Sequence, residues 1–254
     1  MTLHCQTFGF GPDVVLVHGW GWHGGAWDEV ASDLANAHRV WVVDLPGHGR
    51  SRADSGAQTL DDLVRALGAC VPPGATWVGW SLGGMAALVA ARRGLAQRLV
   101  LIGATPRFVQ GADWECGWAP AAFAQFSAEV EADAGRALGR FASLHLGGGE
   151  VQRDLLRRLR ATLLQRGGVP DQAALRAGLG MLSASDLRAQ LPDIATPTRV
   201  LHGTADSIVP WQAGARMAAA LANAEFVSIA EAGHGLPLSH ADRVANAIKD
   251  FIRG

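Results

Sequence analysis

The sequence predicts an α/β fold: a mostly parallel sheet flanked by helices, with a helical lid inserted between two strands. Three observations predict it. Apolar runs of four to six residues recur between Gly, Pro and Asp; helix-period stretches separate them; and the alternation stops between about residues 105 and 192.

The apolar runs lie at residues 14–18, 39–44, 76–80, 98–103, 198–203 and 225–229. They are rich in Val, Leu, Ile and Trp without polar alternation, as strands buried on both faces are. Helical periodicity covers residues 26–35, 59–70, 82–93, 211–221 and 241–252. Strand–helix alternation of this kind builds parallel pairs through crossover helices on both faces. Residues 105–192 carry no strand pattern; they show helical patterns at 128–145 and 151–165, opened by Pro106 and closed by Pro192 and Pro197. The expected organisation is a core of residues 1–104 and 193–254, with residues 105–192 as a lid over the carboxyl ends of the strands, where open α/β sheets bind ligands. There is no fixed-period repeat and no low-complexity linker.

Of 254 residues, 49% are hydrophobic and 18% charged, with 22 basic against 23 acidic side chains and a net charge of −1. A chain so lean in charge builds a large core. The balance argues against a nucleic-acid partner, which calls for a basic stripe. The basic residues are all Arg except Lys249. Cys5, Cys70 and Cys116 are odd in number and widely spaced. They suit neither a disulfide framework nor a cysteine-built zinc site, and they fit a reducing cytosol. The first residues have no basic n-region or apolar h-region, so no secretory leader is expected. No apolar run approaches the ~18 residues of a membrane span. A soluble, cytoplasmic monomer without membrane contacts is expected.

The strongest chemical signal is Gly79-Trp80-Ser81-Leu82-Gly83, between the run ending at residue 80 and the helical stretch that follows. This is G-x-S-x-G in strand–turn–helix context. A serine on so tight a turn has strained backbone angles, Gly79 and Gly83 make room for the strand–helix crossing, and the hydroxyl projects above the sheet. The positive end of the helix then lies under a developing oxyanion. The bland reading is a Ser-Gly turn capping a helix; the flanking strand and helix favour a nucleophile.

A serine of ordinary acidity needs a base, and the base an orienting acid. In this architecture they follow in the order Ser, Asp or Glu, His. His234 sits on a Gly-flanked loop just past the last predicted strand, whereas His240 stands at the mouth of the final helix and reads as a helix-start residue. Asp206, on the loop after residues 198–203 and before Pro210, turns toward the same sheet edge; Asp186 and Asp193 belong to the insertion or its exit. Ser81, His234 and Asp206 are therefore the candidate catalytic residues. The oxyanion donors expected are the amides of Leu82 and of Trp20, in His18-Gly19-Trp20-Gly21 after the first apolar run.

A rival pattern overlaps this loop. Residues 19–24 spell G-x-G-x-x-G, and Asp44 falls 20 residues beyond Gly24, where a ribose-binding acid stands in dinucleotide folds. Two Trp and a His crowd a turn that a pyrophosphate must approach closely, and the Ser, Asp and His loops would be left idle. Residues 44–51 read better as a rigid loop bordering the site.

Together, HGWG at residues 18–21, DLPGHGRS at 44–51, GWSLGG at 79–84, GTADSIVP at 203–210 and the Gly233-His234 loop resemble the α/β-hydrolase superfamily from about residue 12 to the chain end. Haloalkane dehalogenases and epoxide hydrolases resemble it less, because their nucleophile is Asp where this chain has Ser81. Trp20 and Trp80, with Arg140-Phe141 and Leu144, resemble the pimeloyl-[acyl-carrier protein] methyl ester esterases of biotin synthesis. The resemblance implies a serine carboxylesterase without cofactor or metal, releasing methanol from a seven-carbon acyl chain held on acyl carrier protein. It implies that Phe141, Ala142, Ser143, Leu144 and His145 line the acyl channel beside Trp20 and Leu82, and that Arg136, Arg140, Arg153 and Arg157 meet the acidic carrier. His145 and the glycine run at 147–149 depart from the family pattern.

The charge pattern points the same way. Residues 134–168 hold seven Arg against Glu150 and Asp154, with Arg136 and Arg140, and Arg153 and Arg157, spaced four apart on shared helix faces. A solvated lid helix is the plain alternative, since residues 113–133 carry five acids. Other readings of the chain are a general short-chain carboxylesterase, a C–C bond hydrolase with the same triad, and a non-catalytic ligand receptor.

Overall fold

The computed structural model describes residues 3–51, 57–145, 161 and 168–254. Seven strands form one sheet: β1 (Cys5–Phe8), β2 (Asp13–Val17), β3 (Arg39–Val43), β4 (Ala75–Trp80), β5 (Ala96–Ile102), β6 (Thr198–Gly203) and β7 (Ala224–Ile229). Their spatial order is β1-β3-β2-β4-β5-β6-β7. All pairs are parallel except β1 with β3, where Cys5 faces Val43 in antiparallel register.

The continuous apolar runs follow from burial on both faces. Val14, Leu16, Val78, Trp80, Val100 and Ile102 face one hydrophobic layer with α1 (Asp28–Leu34) and α8 (Ala241–Arg253). Val15, Val17, Trp77, Leu99 and Leu101 face the other, with α2 (Leu60–Gly68) and α3 (Leu82–Arg92). Side chains alternate across a strand, so a two-sided sheet needs apolar residues at every position. The helix α3 is apolar around most of its circumference, and Leu82 to Ala91 are all buried.

The edge strand β1 was absent from the sequence reading. It is short and half exposed, Cys-Gln-Thr-Phe, and its pattern does not stand out from a loop. Between β5 and β6 lie α4 (Pro120–Ala132), α5 (Ala134–Leu144) and α6 (Gln172–Ala184), followed after β6 by α7 (Trp211–Ala220). The single helix expected over residues 128–145 is instead two helices broken at Asp133. That residue leaves helical geometry (φ −157°, ψ 89°), and its carboxylate caps α5 by accepting from the Arg136 amide at 3.0 Å. The expected helix at 151–165 lies outside the described residues apart from residue 161. The two ends of the segment from β5 to β6 are clasped by Arg107 and Arg188, which pair with Asp186 at 3.0 and 2.7 Å; Arg188 also pairs with Asp113 at 2.9 Å. Asp186 is thus structural.

Candidate active site

Ser81 joins the end of β4 to the start of α3 at φ 56°, ψ −116°, a region that L-residues rarely occupy. The turn closes only because its neighbours lack side chains. A Cβ on Gly79 would lie 2.3 Å from the Gly83 carbonyl oxygen, and one on Gly83 would lie 2.3 Å from that of Val17. The expected elbow is present, at the carboxyl end of β4.

The loop after β6 brings Asp206 to the loop after β7. His234 Nδ1 stands 2.7 Å from Asp206 Oδ2, and both side chains are buried. The other carboxylate oxygen accepts from the amides of Ile208 and Val209 at 2.9 and 2.8 Å. Burial pushes the Asp206 carboxyl up, but the His234 ring and the neighbouring His202 outweigh it and hold the group well below the usual carboxylate range. With Nδ1 facing a carboxylate, the ring hydrogen belongs there and Nε2 carries the lone pair. Nε2 is buried with no hydrogen-bond partner among the described residues. Trp80 Nε1 donates to the His234 carbonyl at 2.9 Å, fastening the loop to β4. His240, the alternative base, instead stands at the start of α8 with its ring on Ser239 Oγ.

Trp20 and Leu82 sit on the turn after β2 and at the first position of α3. Neither backbone amide donates to another group among the described residues. The Trp20 indole is buried; it donates to the Leu175 carbonyl at 2.9 Å and meets Phe126 and Phe141 edge-on. Beside Leu82 lies an apolar cavity walled by Leu45, His48, Ala174, Gly178 and Met181. The α6 side of this wall was not foreseen, because an apolar helix face reads as core whichever cavity it borders.

The residues from Phe141 to His145 fall into two groups. Phe141, Ala142 and His145 are buried, Ser143 is partly buried, and Leu144 is exposed. His145 uses both ring nitrogens: Nδ1 lies 2.9 Å from the Phe141 carbonyl, and Nε2 accepts from Trp22 Nε1 at 2.9 Å. Its ring packs edge-on against Phe141, Trp80 and His234, the last at 5.2 Å between centroids. Its carbonyl accepts from Gly235 N at 2.9 Å, and the Leu144 carbonyl accepts from Ser207 Oγ at 3.0 Å. The end of α5 thereby grips both the Asp206 loop and the His234 loop.

Arg136 and Arg140 are exposed on α5, where Arg140 pairs with Glu129 at 2.8 Å and Arg136 makes no ion pair among the described residues. Arg153 and Arg157 lie outside the described residues. The carboxylate of Asp44 accepts from the amides of Gly24 and Arg50 at 2.6 and 2.9 Å. It ties the two loops of the G-x-G-x-x-G region together rather than facing a ribose. No cluster of metal-ligating side chains occurs among the described residues, and no described helix is long and apolar enough to cross a membrane.

Two buried histidines make stability depend on pH. Burial pushes His18 down to about 3, helped by His48, and pushes His145 down to about 3, helped by His234. Unfolded histidine titrates near ~6.5, so the unfolded chain binds more protons between about 3 and 6.5 and stability falls as pH drops through that window. Each ring adds a slope approaching about 1.4 kcal/mol per pH unit. Urea unfolding measured from pH 7 to pH 4.5 is expected to show this loss, and His145→Gln to reduce the slope by about one proton. An equal slope in the variant contradicts the assignment.

Residues 14–247 match the Alpha/beta hydrolase family. A pimeloyl-[acyl-carrier protein] methyl ester esterase of Stenotrophomonas maltophilia is 43% identical over 257 residues, covering 99% of this chain and 97% of that protein. The protein of that name in Xanthomonas oryzae pv. oryzae is 43% identical over 256 residues, covering 98% of each. Among solved structures, a bromoperoxidase from Bacillus anthracis superimposes with a TM-score of 0.90 at 24% identity, covering 99% of this chain and 95% of that one. An esterase from Exiguobacterium antarcticum gives 0.89 at 20% identity, with 99% and 96% covered. These two are likenesses of fold. A family match across nearly the whole chain, on a sheet whose strand ends gather a serine elbow and a buried Asp–His pair, makes this chain a member of the alpha/beta hydrolase family.

Proposed function

We propose that the chain hydrolyses the methyl ester of pimeloyl-[acyl-carrier protein], releasing pimeloyl-[acyl-carrier protein] and methanol for biotin synthesis. The broader activity is that of a carboxylic ester hydrolase, in line with the alpha/beta hydrolase family and the esterase relatives. The observation that carries the finer reading is identity of 43% over almost the full length with proteins of that name.

In this reading Ser81 Oγ attacks the ester carbonyl carbon as its proton passes to His234 Nε2, and Asp206 steadies the imidazolium. The Trp20 and Leu82 amides hold the oxyanion, where one lost donor costs roughly 10²–10³ in rate. The tetrahedral intermediate collapses, His234 returns the proton to the leaving methoxide, and methanol departs. Water, deprotonated by His234, then attacks the acyl-Ser81 ester; the carboxylic acid leaves and Ser81 regains its proton. The apolar cavity beside Leu82 and the Trp20–Phe141 wall suit a methylene chain. Residues 105–192 act as the lid, and the exposed Arg136 and Arg140 meet the acidic carrier; Arg153 and Arg157, outside the described residues, belong to the same proposed contact. In this reading the nucleophile, the base and the oxyanion donors all come from the chain itself, so the steps above call on neither metal nor organic cofactor.

The test is a comparison of methyl pimeloyl carrier protein with p-nitrophenyl butyrate. The carrier-borne ester is expected to have the higher kcat/KM. Arg136→Glu with Arg140→Glu is expected to lower that value about tenfold or more, by weakening encounter, while leaving the small ester unchanged. A small ester turned over faster than the carrier-borne one makes the chain a general short-chain carboxylesterase. Equal losses on both substrates remove the docking role of the two arginines.

A further inference from the structure

A second histidine stands against the same carboxylate. His202, the penultimate residue of β6, is wholly buried; its Nε2 lies 3.2 Å from Asp206 Oδ2 and 2.9 Å from the Val209 carbonyl oxygen. Both oxygens are acceptors, so the hydrogen between them resides on Nε2. The opposite nitrogen, Nδ1, is buried with no partner among the described residues. The helix α7 leaves room for the ring only through a glycine: a Cβ on Gly214 would stand 2.4 Å from Nδ1.

We propose that His202 is a positioning residue that aims the Asp206 carboxylate at His234 and tempers its charge. The inference rests on the Ser81–His234–Asp206 reading of the site. Oδ2 receives His234 Nδ1 at 2.7 Å on one side and His202 Nε2 on the other, while Oδ1 is held by two backbone amides. Val209 closes the loop on itself, its amide on Oδ1 and its carbonyl on His202. The carboxylate is therefore fixed against rotation, and an N–H beside Oδ2 draws negative charge away from the His234 side. Loss of that N–H concentrates the carboxylate's charge on the side facing His234 and loosens residues 206–209. Among the described residues, the ionisable groups facing His234 are Asp206 from the β6 loop and His145 from the end of α5. Burial and the neighbouring His234 ring hold His145 neutral, and its Nε2 lone pair accepts from Trp22 Nε1. Asp206 is the ionisable group facing His202 among the described residues.

The experiment records kcat/KM against pH on p-nitrophenyl butyrate for the full chain, His202→Leu and His202→Gln. In His202→Leu the acid limb is expected to move up by about 0.5–1 pH unit and kcat to fall about tenfold. In His202→Gln, whose amide nitrogen reaches the same position, both should return to within about twofold of the parent. An unmoved limb in His202→Leu, or a Gln variant that behaves like the Leu one, overturns the proposal. Should His202→Leu not fold, nitrogen NMR of the parent protein decides: the His202 ring hydrogen belongs on Nε2, and a hydrogen on Nδ1 alone overturns the proposal. Full activity in Asp206→Asn would instead sink the triad reading itself, which keeps the two failures apart.

Discussion

Replacing Ser81 by Ala is expected to lower ester turnover by about 10⁴–10⁶-fold, because the attacking oxygen is removed while the surrounding donors remain. In the proposed mechanism the residual rate is what bound water achieves against an ester held by the Trp20 and Leu82 amides. The measurement is single-substrate kinetics on p-nitrophenyl butyrate, with circular dichroism showing an intact fold. Turnover within tenfold of the parent would refute Ser81 as nucleophile. The backbone supplies an independent check. At φ 56°, ψ −116° an alanine carries the same strain as the serine, whereas a glycine does not. Ser81→Gly should therefore be as inactive as Ser81→Ala yet more stable by about 1–2 kcal/mol in urea unfolding. Stability lower in the glycine variant than in the alanine variant would show that the elbow holds no strain.

Asp206→Asn is expected to cost about 10⁴-fold in kcat although the side chain keeps its shape. The reason lies in what surrounds it. Oδ1 accepts from the Ile208 and Val209 amides, so an asparagine must place its oxygen there and turn its NH₂ toward His234. A donor now faces Nδ1, the ring hydrogen moves to Nε2, and the lone pair that should take the serine proton is gone. His202 Nε2 meets the same NH₂ from the other side, so the variant also sets two donors against each other. The stability effect has a sign. The folded pKa of Asp206 is depressed, so its stabilising contribution is present above about pH 4 and is lost as pH falls through the folded value. Asp206→Asn should thus lose stability at pH 7 and approach the parent in strong acid, read from urea midpoints across pH. A kcat within tenfold of the parent at pH 7 would remove Asp206 from the triad.

The fold was legible wherever burial imposes a pattern. A strand covered on both faces must be apolar throughout, and β2, β4, β5 and β6 announce themselves in that way. The strand β1 did not, because half of it faces solvent and Cys-Gln-Thr-Phe satisfies the sheet edge without an apolar run. The break at Asp133 was hidden because the apolar spacing of α4 and α5 runs on in phase across it; the capping aspartate was the available sign. At the site, Ser81, Asp206 and His234 could be placed by their turns, since strand ends and glycines leave local marks. His145 and His202 could not be assigned their contacts. His145 owes its place to Trp22, 123 positions away, and to His234, whereas His202 owes its place to the tight curl of one loop. A histidine inside an otherwise apolar strand end, as in Thr198–Gly203, was the one trace of the latter.

The last turn of α5 is riveted at Ser207 and Gly235, on the two loops that carry the acid and the imidazole. If the proposed reading holds, the segment between β5 and β6 cannot lift from this end as a hinged cover without unseating Asp206 and His234. Grafting a foreign cover onto this framework would likewise need to reproduce those two attachments, which makes the junction at residues 144–145 a shared boundary between selectivity and reactivity.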